Sequence, residues 1–437
     1  MRATGILTDL YELTMLQAYY FLEMEEEAVF SLFVRKLPKE RNFLISCGLE
    51  DVLNFVENLH FSEEDLEYLE SLGIFKKKFL DYLKDFKFTG DIYAMPEGTV
   101  FFQNEPILEI KAPIGQGQLL ETYIINEIHF QTLMASKAIR LVLAAQGKRV
   151  VDFGFRRIHG VESAHKAARA FYIAGVDATS NVYAGKRYGI PVTGTMAHSY
   201  IQAHEDEFEA FSSYVSFYPN TVLLVDTYDP LKGTENVINL YKKLKENFQV
   251  SGIRIDSGDL GEFSFKLRKI LDEAGLKRVK IFASGGLDEY EIKEIVEKGA
   301  PIDGFGVGTK MGVSSDVPYL DIVYKLTEFK GEGRVKTSPG KITLPYKKQV
   351  FRIEKNGKYI KDIICRDGEE VEGKPILKKV FEKGKRKLSK EELDDIRNRV
   401  KEEVSKLPED LLKIAPAFNS YPVELSPVLK NFLKQNT

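Results

Sequence analysis

The stretch Ser251–Thr309 reads SGIRIDSGDLGEFSFKLRKILDEAGLKRVKIFASGGLDEYEIKEIVEKGAPIDGFGVGT, and its reading decides the fold. It holds three short apolar runs, Ser251–Ile255, Val279–Ala283 and Ile302–Val307. Between them lie two helix-like connectors, Gly261–Ala274 and Glu289–Lys298. Strand alternating with helix argues for a parallel sheet. Working back toward the N-terminus, four more runs follow the same plan: Arg149–Phe155, Tyr172–Ala178, Ile190–Met196 and Asn220–Thr227. Val161–Phe171 and Thr234–Phe248 read as further helical connectors. The spacing is mostly about 20–30 residues, close to what a repeated βα unit needs. Seven such units with no clear eighth predict an irregular, incomplete α/β barrel of about seven strands. An open doubly wound sheet is the structural alternative.

Outside this block the texture changes. Up to Phe88 the chain reads as mostly helical, with a β segment at Ala28–Arg35 and Ser62 placed to cap a helix. Asp91–Ala94, Thr99–Phe102 and Ile107–Ile110 are short strand-like runs cut by prolines and glycines. A long helix is predicted over Leu119–Ala145. Beyond Pro318, antiparallel-type strands are predicted at Leu320–Leu326, Lys341–Leu344, Gln349–Glu354 and Lys358–Cys365, before a charged helical tail, Lys378–Arg386 and Glu391–Lys406. The expected division is an N-terminal segment 1–118, a barrel 119–315 and a C-terminal segment 316–437. The two end segments are expected to pack together as one α+β domain, since neither looks self-sufficient.

At 437 residues the chain is long enough for two or three domains. Lys and Arg (62) nearly balance Asp and Glu (65), so no basic field is present to attract nucleic acid. Anion binding must come from a few placed arginines and backbone N–H groups. The 2 cysteines, Cys47 and Cys365, lie far apart without ligand spacing, which argues against a disulfide framework or zinc site. MRATGILTDLYELTM lacks the apolar core of a signal peptide, and no stretch is apolar for long enough to span a membrane. A soluble, cytoplasmic protein is expected.

The reactive residues gather where the apolar runs end. They read DFGFRR (Asp152–Arg157), VDATSN (Val176–Asn181), TGTMAHS (Thr193–Ser199), VDTYD (Val225–Asp229), RIDSGD (Arg254–Asp259), ASGGLD (Ala283–Asp288) and GVGTKM (Gly306–Met311). Capping of the following helices by Asp, Ser or Thr accounts for one or two such clusters, but not for an unbroken succession. Barrel active sites form from the C-terminal ends of several strands, which is this pattern. Gly285-Gly286 and Gly308-Thr309, after the last two strands, read as a phosphate cradle; turn formation alone is the simpler alternative for either pair. Arg254 and Asp256 fall on one side of a strand end, where an arginine can hold a carboxylate or phosphate. The simpler reading of that pair is a buried ion pair. Asp256 and Asp259 can accept ribose hydroxyls or reach Mg²⁺ through water. Arg156 and Arg157 form a second cationic pair beside Phe153, an aromatic suited to stacking on a flat ring. Of the 6 histidines, His198 alone follows a strand and tight turn at this end; His129, His165 and His204 fall in helical stretches and read as packing or surface residues.

These motifs, with TDLYELTM (Thr8–Met15) and AGKRYGIPVTGTMAHSY (Ala184–Tyr200), resemble in order the motif set of the nicotinate phosphoribosyltransferases. The likeness runs from Thr8 to Thr309 and more faintly through Lys336–Arg352. It implies a type II phosphoribosyltransferase working as a homodimer with shared active sites. Its substrates are then nicotinate, phosphoribosyl pyrophosphate and ATP, with Mg²⁺ carried on the phosphates. By this resemblance His198 is the phosphorylated histidine and Thr195 a nicotinate contact. Tyr11 is the ring-stacking tyrosine given by the neighbouring subunit, and Phe153 opposes it. Arg156, Asp177 and Arg254 fall on substrate contacts, and Asp256, Gly285, Gly286, Gly308 and Thr309 on the phosphoribosyl pyrophosphate site. Arg157, Ser180 and Ser257, beside these positions, complete the candidate set. His159 stands where relatives more often carry small or amide residues, and its role stays open. A cysteine-rich tail found in some relatives is missing. Nicotinamide and quinolinate transferases are the alternatives; quinolinate calls for more convergent cations, and its enzymes lack the histidine motif.

Overall fold

The computed structural model describes residues 3–336, 343–416 and 420–436. The chain divides into two compact units, residues 137–318 and residues 1–136 with 319–437. The expected divisions are 118/119 and 315/316; the observed ones fall at 136/137, inside the helix Glu121–Ala144, and at 318/319.

Residues 137–318 are built on six parallel strands: β1 (Arg149–Asp152), β2 (Ala178–Thr179), β3 (Val222–Leu224), β4 (Gly252–Ile255), β5 (Lys280–Ser284) and β6 (Gly304–Val307). Their order in the sheet is β2-β1-β6-β5-β4-β3. This is the cyclic order of a barrel, interrupted between β2 and β3. The expectation of about seven strands is corrected here, and the interruption falls where the run Ile190–Met196 was read as a strand. That run makes a single parallel bridge, Thr179 to Val192. Pro191 lacks a donor for continuing the ladder, and Gly194 weakens it further. Tyr172–Ala178 is also corrected. Tyr172 and Ile173 end the helix Val161–Ile173, Gly175 turns the chain at φ +112°, and only Ala178–Thr179 is strand. A short apolar run that buries a helix end looks the same in sequence as a buried strand.

Between the strands run Val161–Ile173, Pro230–Leu244, Leu260–Glu273 and Glu289–Glu297. Asp229, Asp259 and Asp288 cap the last three of these helices through their side chains. The same aspartates that end the strand clusters therefore also start helices. Lys137 and Arg140 meet the fully buried Glu289, with Lys137 Nζ also 2.8 Å from Asp316.

In the other unit, a seven-stranded antiparallel sheet mixes the two chain ends. Glu27–Val34 pairs with both Pro106–Pro113 and Ile322–Phe329, and Asp91–Ala94 pairs with Lys378–Glu382. A second sheet joins Lys374–Pro375, Lys348–Lys355, Lys358–Arg366 and Val423–Leu425. Ser62 caps Glu63–Ser71 in a capping box. Lys378–Arg386, read as helical, is instead a strand pair, whereas Leu393–Ser405 is a helix. The expected strand Lys341–Leu344 lies partly outside the described residues. Among the described residues, no helix is long and apolar enough to cross a membrane.

Candidate active site

Because all six strands run parallel, their C-terminal ends share one face, and the polar clusters meet there. A cleft of about 540 Å³ opens on this face. It is lined by Phe153, Arg156, Arg157, Ser180, Thr195, His198, Arg254, Asp256, Gly285, Gly286, Gly308 and Thr309. Three sequence candidates lie elsewhere. Asp177 takes the Val150 N–H on its carboxylate, away from the mouth. Ser257 turns its hydroxyl to Asp226. Tyr11 stands on the helix Leu10–Phe21 of the other unit, with its side chain exposed.

A narrower cavity of about 380 Å³ enters the barrel itself. It shares Phe153, Thr195 and Arg254 with the cleft, and Phe282, Phe305 and Val151 line it below. Glycines make room for these rings. A Cβ on Gly306 would sit 2.4 Å from the Phe153 ring, and one on Gly304 would sit 2.9 Å from Phe282. Arg149, Lys280 and Ser251 also line the narrower cavity, but the strand-end clusters converge at the mouth, so the wider cleft is the candidate site.

At its centre is a polar relay. Arg254 Nη2 donates to the Met196 carbonyl at 3.2 Å, and its Nη1 lies 3.4 Å from Ser284 Oγ and 3.6 Å from Asp256 Oδ1. Ser284 donates to the same Asp256 oxygen in a short bond. The other Asp256 oxygen lies 4.0 Å from His198 Nε2, while His198 Nδ1 is 3.1 Å from Thr227 Oγ1. Burial lowers the Arg254 pKa; Asp256 and Asp226 act against this, and Arg156 adds to it. A guanidinium held in that state, 5.9 Å from the Phe153 ring, is a receptor for an anion carried on a flat ring.

Two acidic residues, neither among the sequence candidates, hold the backbone around the cleft: Asp226 beneath the relay, and Asp152 between β1 and β2. Asp226 accepts from the Asp256 N–H at 2.6 Å and from Ser257 Oγ at 2.9 Å, which fixes the β4 turn. Asp152 accepts from Gly154 N–H and from Thr179 Oγ1, each at 2.7 Å. Burial pushes its pKa up to about 6, against the pull of those two bonds. Both lie inside the clusters DFGFRR and VDTYD, so cluster membership was the available signal. That each points inward rather than into the cleft was not.

The phosphate-type turns are built as the glycines require. Gly285 has φ +95°, and a Cβ there would lie 2.0 Å from the Asp256 carbonyl oxygen, so only glycine fits. Gly286 follows at φ +68°. Lys310 bridges Asp288 at 3.0 Å and Glu291 at 2.5 Å, tying the turn after β6 to the helix after β5. The result is two adjacent turns facing one cleft, with the half-buried Lys310 beside them. Among the described residues, no group of three or more His, Cys, Asp or Glu side chains is placed to hold a metal ion.

Comparison with known proteins agrees along nearly the whole chain. Residues 6–129 match the nicotinate phosphoribosyltransferase (NAPRTase) N-terminal domain, 148–385 the NAPRTase family proper, and 370–433 its C-terminal domain. The chain is 47% identical to nicotinate phosphoribosyltransferase pncB2 of Mycobacterium tuberculosis, over 97% of this chain and 91% of the relative. It is 38% identical to nicotinate phosphoribosyltransferase of Bacillus subtilis, over 96% and 92%. The crystal structure of human nicotinic acid phosphoribosyltransferase superposes with a TM-score of 0.88 at 25% identity, covering 98% of this chain and 100% of that one. A nicotinate-nucleotide pyrophosphorylase from Pyrococcus furiosus superposes with a TM-score of 0.76 at 26% identity, covering 92% and 95%.

Proposed function

The chain belongs to the nicotinate phosphoribosyltransferase family, and from that premise we propose that it joins nicotinate to the ribose of phosphoribosyl pyrophosphate. In the full reaction ATP and water are also consumed, and nicotinate mononucleotide, pyrophosphate, ADP and phosphate are released. This would be the entry step of NAD salvage from nicotinate, carried out by a cytoplasmic homodimer. The observation that carries the reading is the convergence of Phe153, Arg254, His198 and both glycine turns on one cleft.

The chemistry follows from what each group offers. Displacement at the ribose C1 builds an oxocarbenium-like centre, so the protein must chiefly hold and orient the two partners. Arg254 meets the nicotinate carboxylate while the pyridine ring lies against Phe153, with Tyr11 of the neighbouring subunit on its other face. Thr195 and Ser180 border the ring, and Arg156 and Arg157 add positive charge at the rim. Backbone N–H groups around Gly285, Gly286, Gly308 and Thr309 hold phosphate oxygens. Mg²⁺ arrives as part of the phosphoribosyl pyrophosphate and ATP substrates and balances the charge of the departing pyrophosphate. The pyridine nitrogen bonds to C1 as the bond from C1 to the pyrophosphate oxygen breaks.

ATP enters through His198. Its imidazole takes the γ-phosphoryl group, the bond to ADP breaks, and later hydrolysis returns the free ring. Such a cycle changes transfer only if the phosphorylated and free enzymes bind substrate and product differently. Asp256, between His198 and Arg254, is placed to sense the phosphoryl charge and pass it to the substrate-holding arginine. An assay with nicotinate, nicotinamide and quinolinate, each with and without ATP, tests the proposal. Nicotinate turnover accelerated by ATP is expected; quinolinate consumption indifferent to ATP would refute it.

A further inference from the structure

Asp152 lies at the last position of β1, is 1% exposed and does not line the cleft. Its carboxylate holds two donors, the Gly154 N–H from the loop after β1 and the Thr179 hydroxyl from the end of β2, each at 2.7 Å. Its main-chain carbonyl accepts the Ser180 N–H at 2.8 Å. The next residue, Phe153, fixes its own N–H on the Val307 carbonyl at 2.8 Å. One side chain thus sits where the β1 loop and the β2 loop meet.

Burying a carboxylate without a cation is costly, and a neutral residue would fill the space at less expense. The charged groups on the surrounding elements do not neutralise it. Arg156 and Arg157 lie on its own loop at the cleft, Asp177 precedes β2 with its carboxylate on Val150, and Lys310 beyond β6 is bound to Asp288 and Glu291. What a carboxylate uniquely offers here is two acceptor oxygens for two donors; an asparagine offers one. We propose that Asp152 is a positioning residue, whose carboxylate holds the loop bearing Phe153 and Arg156 in register with the loop bearing Ser180. The inference rests on the reading of the cleft as the nicotinate site.

Thr179 allows the tie to be cut without touching the cleft. Thr179→Val removes the donor at nearly constant volume, but also the acceptor of the Asn181 N–H at 3.0 Å, a bond that Asp152→Asn leaves in place; Thr179→Ser keeps both. With Val, the KM for nicotinate should rise about tenfold, as expected for a lost bond to a charged group, with kcat and the KM for phosphoribosyl pyrophosphate changed less. The acid limb of kcat/KM should move to higher pH, because the carboxylate loses a bond that favours its charged form. Hydrogen exchange at the Gly154 amide should accelerate; Asp152→Asn should likewise raise the nicotinate KM and this exchange, while abolishing the part of the acid limb that the carboxylate sets. Ser should restore all three readouts. Wild-type nicotinate KM, acid limb and Gly154 protection in the Val variant would overturn the proposal. Should the wild type fail to turn over nicotinate, the functional reading falls, while Gly154 exchange in the Thr179 variants still decides whether the carboxylate ties the loops.

Discussion

Asp256 reaches Arg254 with one carboxylate oxygen, at 3.6 Å, and presents the other to His198 Nε2, at 4.0 Å. The carboxylate therefore stands between the imidazole proposed to carry phosphate and the guanidinium proposed to hold substrate. Phosphorylating the ring places new negative charge beside Asp256 and alters its hold on Arg254. The first expectation is that His198→Ala abolishes ATP hydrolysis and leaves slow transfer that ignores ATP. Radiolabelled ATP, followed by phosphohistidine mapping, measures this directly. Full ATP coupling in the alanine variant would remove His198 from the cycle.

Arg254 donates to Met196 and lies near Ser284 and Asp256, so its guanidinium is aimed before substrate arrives. Arg254→Lys keeps charge but loses the planar fork. A charge-assisted bond contributes about 1.5–3 kcal/mol, so kcat/KM for nicotinate should fall roughly 10- to 100-fold. Steady-state kinetics with nicotinate and nicotinamide checks it. An equal loss for both bases would mean that the arginine does not read the carboxylate.

Gly285 is held at φ +95° against the Asp256 main chain. Gly285→Ala should cost about 1–3 kcal/mol locally, by strain and by displacing the β4 turn. The KM for phosphoribosyl pyrophosphate should rise more than that for nicotinate. Gly286→Ala is a useful contrast: nothing lies within 4 Å of a Cβ there, so its strain is confined to φ.

Glu12 follows Tyr11 on its helix and is fully buried. Burial raises its pKa from 4.5 to about 7; bonds from Gln118 and Tyr11 oppose this, while Glu121 and Asp9 add to it. Between these two values the folded chain keeps a proton that the unfolded chain has released. Stability from this group is therefore complete below pH 4.5 and is lost as pH rises through about 7. Glu12→Gln should flatten this part of the stability curve, seen as a smaller fall in Tm between pH 5 and 8. An unchanged pH dependence would show that Glu12 does not titrate there.

The alternation of Ser251–Thr309 was legible because βα units carry their own signature: short apolar runs, capped helices and fixed spacing. The six strands formed from or beside runs read in the sequence, although only Ala178 of Tyr172–Ala178 is strand and Ile190–Met196 makes a single bridge. Those two failures share a cause. Local apolarity reports burial, and burial alone does not separate a strand from a helix end or an irregular wall. The glycine turns could be read individually, because a positive φ and a close approach demand glycine wherever they occur.

By its own order of residues, the chain determined an alternating parallel architecture, and which clusters would stand at the strand ends. Tertiary structure alone decided which members of each cluster turn toward the cleft. Asp152 and Asp226 point inward and organise; Arg254, Asp256 and His198 point outward and can meet a ligand. Residues one or two apart at a strand end differ only in direction. That direction is set by hydrogen bonds to partners 27 to 30 positions away, which local patterning does not encode.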